Sequence, residues 1–142
     1  MSLPYHWILG VFVAVAGLSS GRGLDPFAAT DDPLLSKEAI ATREAPPERM
    51  FQGQLAGQRT FLLVHDCEVF RVERRDDGGG VRWTRVLEPD FYPMWTACER
   101  QSLSADAGTV TAVLGRRAFG AGGCCASGGT YRSVDGLRWK KR

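Results

Sequence analysis

From Phe51 to the end of the chain, apolar and polar residues alternate with a period of two, in short runs broken by Gly, Asp and Pro. A period of two sends successive side chains to opposite faces of an extended strand, and helical spacing is absent throughout this stretch, so it must fold as sheet. Seven runs read as strands: Thr60 to His65, Glu68 to Arg74, Val81 to Leu87, Trp95 to Gln101, Thr109 to Gly115, Thr130 to Ser133 and Leu137 to Lys141. Each is rich in β-branched or aromatic residues. The 17 Gly and 7 Pro therefore mark tight turns rather than disorder.

Two segments precede the sheet region. Trp7 to Leu18 is an apolar and small-residue run of 12, within the range of a signal-peptide core and short of the roughly 20 residues that a spanning helix needs. Residues 1–20 accordingly read as an export signal, with Ala14-Val15-Ala16 or Gly17-Leu18-Ser19 presenting small residues to a peptidase. The mature chain is expected to begin between about Val15 and Arg22, to keep no membrane span and to reside in the periplasm or outside the cell. MSLPYH ahead of the run has no Lys or Arg, so a buried N-terminal strand or helix is the competing reading. Residues 21–50 form a linker with a short helix: Asp32-Pro33 supplies an N-cap and first helical residue, and Pro46-Pro47 ends it.

Charge narrows the partners. With 18 Lys and Arg against 16 Asp and Glu, the net charge is only +2, without the electrostatic footprint that phosphate neutralisation requires, so nucleic acid is not expected. Only Lys37, Lys140 and Lys141 are lysines. The arginine excess suits planar recognition of carboxylates, and gene base composition accounts for it equally well.

An internal repeat organises the β region into two units, 51–88 and 94–142. Phe70-Arg71, the turn Asp76-Asp77-Gly78-Gly79-Gly80 and Arg82-Trp83 are echoed by Tyr131-Arg132, the turn Asp135-Gly136 and Arg138-Trp139. The second copy, Ser133-Val134-Asp135-Gly136-Leu137-Arg138-Trp139, resembles the Asp-box of sialidase-like repeats; the first lacks the Ser and has a longer, glycine-richer turn. The resemblance implies a hairpin between the last two strands of a propeller blade. Its chemistry is structural: an Asp carboxylate accepts turn amides, Gly supplies a positive φ and the Trp packs beneath. Asp77, Asp135, Gly136, Trp83 and Trp139 are the expected turn residues. Two blades do not close the usual ring of four to eight, although other copies of the chain could complete one. The expectation is an all-β fold of two small antiparallel blade-like sheets, packed as a sandwich or partial propeller.

Cys67, Cys98, Cys124 and Cys125 all fall in the β domain, and an even count in an exported chain implies disulfides. One bond is expected from Cys67 to the second unit, and separate partners for the adjacent pair, since neighbouring cysteines rarely bridge each other. A zinc site from His65, Cys67, Cys124 and Cys125 is the alternative, disfavoured because no C-x-x-C is present. His65 as the base of a cysteine nucleophile lacks a third group to orient it. Gly120 to Gly123 lacks the Lys-Ser/Thr and helix of a phosphate loop. No catalytic set, metal or cofactor is assigned.

Binding is the remaining chemistry. Arg71 and Arg132 follow Phe70 and Tyr131 by one position, so alternation sends them to the opposite face, where they are expected to be exposed; Arg82 and Arg138 join them as candidates. Tyr92 and Trp95, with Phe91, either cap the core between the units or present rings to a glycan. The leading reading is a small exported binding protein, an inhibitor or immunity-type partner of another protein. A carbohydrate-binding module is the alternative, and a small hydrolase a third.

Overall fold

The computed structural model describes residues 32–76, 79–120 and 124–142; the leader, Asp77 and Gly78 lie outside the described residues. Asp32 Oδ1 accepts the Leu34 amide at 2.9 Å, but the turn it caps is a short 3₁₀ piece, Pro33–Leu35. The α-helix proper, α1 (Lys37–Glu44), has its own cap in Ser36, whose Oγ accepts the Ala39 amide at 3.1 Å. The Asp32 cap therefore starts one turn before the helix rather than the helix itself. Ala45 and Pro46 are extended, and a second 3₁₀ piece, Pro47–Arg49, leads into the sheets.

Among the described residues eight strands follow, in two four-stranded antiparallel sheets that do not close a barrel. The first contains β1 (Met50–Leu55), β2 (Gln58–His65), β3 (Glu68–Arg74) and β4 (Val81–Leu87) in sequence order. The second contains β5 (Thr96–Asp106), β6 (Thr109–Ala118), β7 (Ser127–Ser133) and β8 (Lys140–Lys141), likewise in order. β1 was not among the expected strands, and β8 begins three residues later than expected. Three hairpins turn through two residues of positive φ, Ala56-Gly57, Asp66-Cys67 and Ala107-Gly108, as the right-handed twist of paired strands favours.

One hydrophobic cluster draws on both sheets: Leu55, Leu62, Val64 and Val69 from the first, Leu103, Val110, Ala112, Leu114 and Tyr131 from the second. Phe51, Val86, Leu87 and Trp139 pack around it. The opposite face of the first sheet is not bare. Leu63, Phe70, Val72 and Trp83 share it by register, Phe70 and Trp83 stack at 4.8 Å, and Trp83 Nε1 donates to Thr42 Oγ1 of α1 at 3.0 Å. Trp83 thus ties the helix to the sheet, a different task from that of Trp139 in the second unit.

This arrangement corrects the expectation for Arg71. Its cross-strand partner Leu62 belongs to the shared core, so Arg71 lies at the margin of the inter-sheet face with its side chain only 26% exposed, 3.6 Å from Glu73. Phe70, expected to point inward, packs instead on Trp83, the residue that holds α1. Arg132 is also only half-exposed, although it does lie on the outer side of its sheet, opposite Tyr131.

The Cys67–Cys98 disulfide links the sheets, with Cα atoms 5.4 Å apart. A bulge makes it reachable. Leu103, Gln101 and Cys98 pair with Ala112, Leu114 and Arg116, so the extra residue Glu99 turns Cys98 to the same face as Gln101 and Leu103. Gln101 Oε1 also accepts the Cys67 amide at 3.0 Å, holding that residue in its left-handed turn conformation. Cys124 and Cys125 are bonded to each other, not to separate partners. With Cys67 and Cys98 already joined, each has only its neighbour, and both sulfurs lie over Gly115, where a Cβ would meet Cys125 Sγ at 2.5 Å. No free cysteine is present among the described residues.

Candidate functional site

The turn joining β7 to β8 organises the one end of the second sheet. Ser133 Oγ donates to Asp135 Oδ1 at 3.0 Å and accepts the Gly136 amide at 2.8 Å. Asp135 Oδ1 accepts the amides of Leu137 at 2.9 Å and Arg138 at 2.8 Å, while Oδ2 accepts Arg138 Nε at 2.8 Å. The Arg138 amide, the Leu137 amide and the Arg138 guanidinium, in that order, hold the Asp135 carboxyl far below the usual carboxylate range. Gly136 has a φ of 74° and is buried; a Cβ there would crowd Leu55 and Thr60 of the first sheet at 3.3 Å. The turn is therefore wedged between the sheets, with its carboxylate committed to its own backbone.

Around this rigid turn lies an open groove of about 500 Å³, lined by Thr109, Arg132, Ser133, Asp135, Arg138, Lys140 and Arg142, with Val134 at its rim. Register explains the convergence. Lys140 pairs with Arg132, Arg142 follows it at the two-residue period with its amide on the Thr130 carbonyl, and Arg138 is drawn in by the turn through its bond to Asp135 Oδ2, so the cations gather at one site. Arg138 is bound to Asp135, but among the described residues no carboxylate pairs with Arg132, Lys140 or Arg142. The repeat pointed to Arg132 and Arg138; Lys140 and Arg142 were missed, although the alternation of Arg138, Lys140 and Arg142 carried the signal.

The remaining candidates do not join this group. Arg82 is exposed and bound to Glu73 Oε2 at 2.7 Å, and Arg71 approaches the same carboxylate. Arg82 first, and then Arg71, lower the Glu73 pKa. The four repeated arginines are thus split between the sheets, two of them at one glutamate.

At the other end of the second sheet, the segment between β4 and β5 is displayed to solvent. Phe91 is 91% and Trp95 85% exposed, with Met94 and Phe119 also exposed beside them. The Phe119 amide donates to the Trp95 carbonyl at 3.0 Å, fastening this loop to the end of β6. Phe91 and Trp95 do not cap the core; Tyr92 is half-buried. Below the loop, Tyr92, Glu88, Asp90, Arg116 and Ser127 line a groove of about 350 Å³ at whose edge Phe91 stands.

Among the described residues, no group of three His, Cys, Asp or Glu side chains is placed to hold a metal ion, and no helix is long and apolar enough to cross a membrane. The disulfide linking the sheets is compatible with an extracellular or secreted protein. No known family model, curated protein or solved structure matches this chain.

Proposed function

We propose that this chain is a small exported binding protein that takes an acidic segment of another protein in its cationic groove, as an inhibitor or immunity-type partner would. The observation that carries this reading is the convergence of Arg132, Arg138, Lys140 and Arg142 around a turn whose only carboxylate is already engaged. An acidic side chain entering there meets uncommitted cations on a preorganised frame, and a planar guanidinium suits a carboxylate. The frame reads as two blade-like sheets packed face to face, a partial propeller with an Asp-box at Ser133 to Trp139. The wedge of Gly136 between the sheets supports that reading. Export rests on residues 1–20 and is supported by the disulfide.

The test compares the unaltered protein with Arg132→Ala/Lys140→Ala as bait in a periplasmic extract. An acidic partner should be captured at low salt, released as ionic strength rises and held at least about tenfold less well by the double variant, with an unchanged melt. Capture of the same partner by the double variant at full yield, or capture insensitive to salt, overturns the proposal.

A further inference from the structure

We propose a second site, for a short neutral saccharide, in the groove beneath Phe91 at the end of the second sheet opposite the cationic groove. It rests on different residues from the acidic-partner reading. A sugar ring has an apolar face of C–H groups and a rim of hydroxyls, so its site needs an exposed ring beside alternating donors and acceptors. Phe91, 91% exposed, supplies a face that touches almost nothing in the protein. A single exposed ring is ordinary, but Met94, Trp95 and Phe119 are exposed at the same end of the sheet, and a gathering of exposed apolar side chains marks a recognition surface.

The wall below it supplies the polar part. Ser127 lines the groove, and its Oγ is buried without a hydrogen-bond partner among the described residues, so a χ1 rotation that turns the hydroxyl into the groove gives it a ligand hydroxyl as its first partner. Glu88 is fixed by Arg85 at 3.1 Å, and Asp90 is held by Lys141, so two carboxylates are positioned in advance with oxygen atoms to spare. Arg116 reaches the groove while donating to the Asp66 carbonyl at 2.7 Å, and lies 3.7 Å from Glu68. Glu68, Glu88 and Asp90 are matched by Arg85, Arg116 and Lys141, so no cation is left over to draw an acidic sugar, a phosphate or an anionic lipid surface. The volume of about 350 Å³ lies near the lower end of small-molecule sites, roughly 300 to 1,000 Å³, and suits a few sugar rings rather than a long chain.

Calorimetric titration with neutral glucose and N-acetylglucosamine oligomers of increasing length tests the proposal. At least one series should bind with a Kd of about 1 mM or tighter. Phe91→Ala should weaken it at least about tenfold and Ser127→Val should weaken it also, while Arg132→Ala/Lys140→Ala leaves it unchanged. Phe91→Ala should not alter the melt, because the ring is almost wholly exposed. Absence of heat with every oligomer up to about 10 mM, equal binding by Phe91→Ala, or Phe91-dependent sedimentation with phosphatidylcholine vesicles in place of sugar binding would overturn it.

Discussion

Replacing Cys67 and Cys98 together by Ala opens a cross-link between residues 31 apart in sequence. The chain-entropy relation for a loop of that length gives about 12 cal/mol/K, or about 3.7 kcal/mol at 25 °C, released to the unfolded ensemble. Cys67 is fully buried, so trimming its sulfur adds a smaller packing loss of about 1 kcal/mol. The expected total is about 4 to 5 kcal/mol, against a whole stability of about 5 to 15 kcal/mol for a domain. Cys124→Ser/Cys125→Ser is the matched control. That bond joins residues one apart, encloses no further chain, and should cost less than about 1 kcal/mol. Urea titrations of the two double variants and the unaltered protein, with slopes compared as well as midpoints, make the measurement. A loss below about 1 kcal/mol for the Cys67/Cys98 variant would refute the reasoning and show that the shared core alone holds the sheets together.

Two further predictions concern the repeated motif. Asp135→Asn should lower the melting temperature near neutral pH, and the gap to the unaltered protein should close on acidification. The folded-state pKa of Asp135 is depressed, so its stabilisation is complete above the unfolded value of about 4 and is lost as pH falls through the folded value. Thermal melts from pH 7 downward decide this, and a gap that persists unchanged well below pH 3 counts against the carboxylate. Arg71→Ala should destabilise by about 1 kcal/mol through lost packing of its aliphatic stem at the margin of the core, rather than through the ion pair to Glu73. A urea titration in high salt checks it: the loss should persist there, and a loss that vanishes assigns the effect to charge.

Much of the strand pattern was legible because β3 and β4 alternate cleanly between turn-forming residues. β1 was not. Gly53 interrupts its apolar pattern, and the turn after it is Ala56-Gly57 rather than Asn-Gly or Asp-Gly, so neither the strand nor the hairpin announces itself. The face of Arg71 was misjudged for a different reason. Alternation tells which residues share a side, not which side another element covers. Here α1 shields the side carrying Phe70 and Trp83, and the second sheet covers the other, so both sides of β3 are partly buried.

The same distinction separates what could and could not be read of the sites. Ser133, Asp135 and Gly136 satisfy one another within a few residues, so their roles follow from the composition of the turn, whatever surrounds it. Arg132 and Lys140 meet only because β8 pairs with β7 in one register, and the two-residue period then brings Arg142 to the same side, while the turn brings Arg138. Exposure of Phe91 and Trp95 depends on the lack of any covering element among the described residues, a property of the whole arrangement that no local pattern encodes. Aromatic residues in a connector ordinarily gain by packing, and here the loop is instead fastened by its backbone, through the Phe119 amide at the Trp95 carbonyl. Because that attachment uses no aromatic side chain, the rings can change without loosening the loop. The recognition surface and the fold can therefore vary independently at this end, whereas at the Asp135 end a change at Gly136, packed against Leu55 and Thr60, also changes how the two sheets meet.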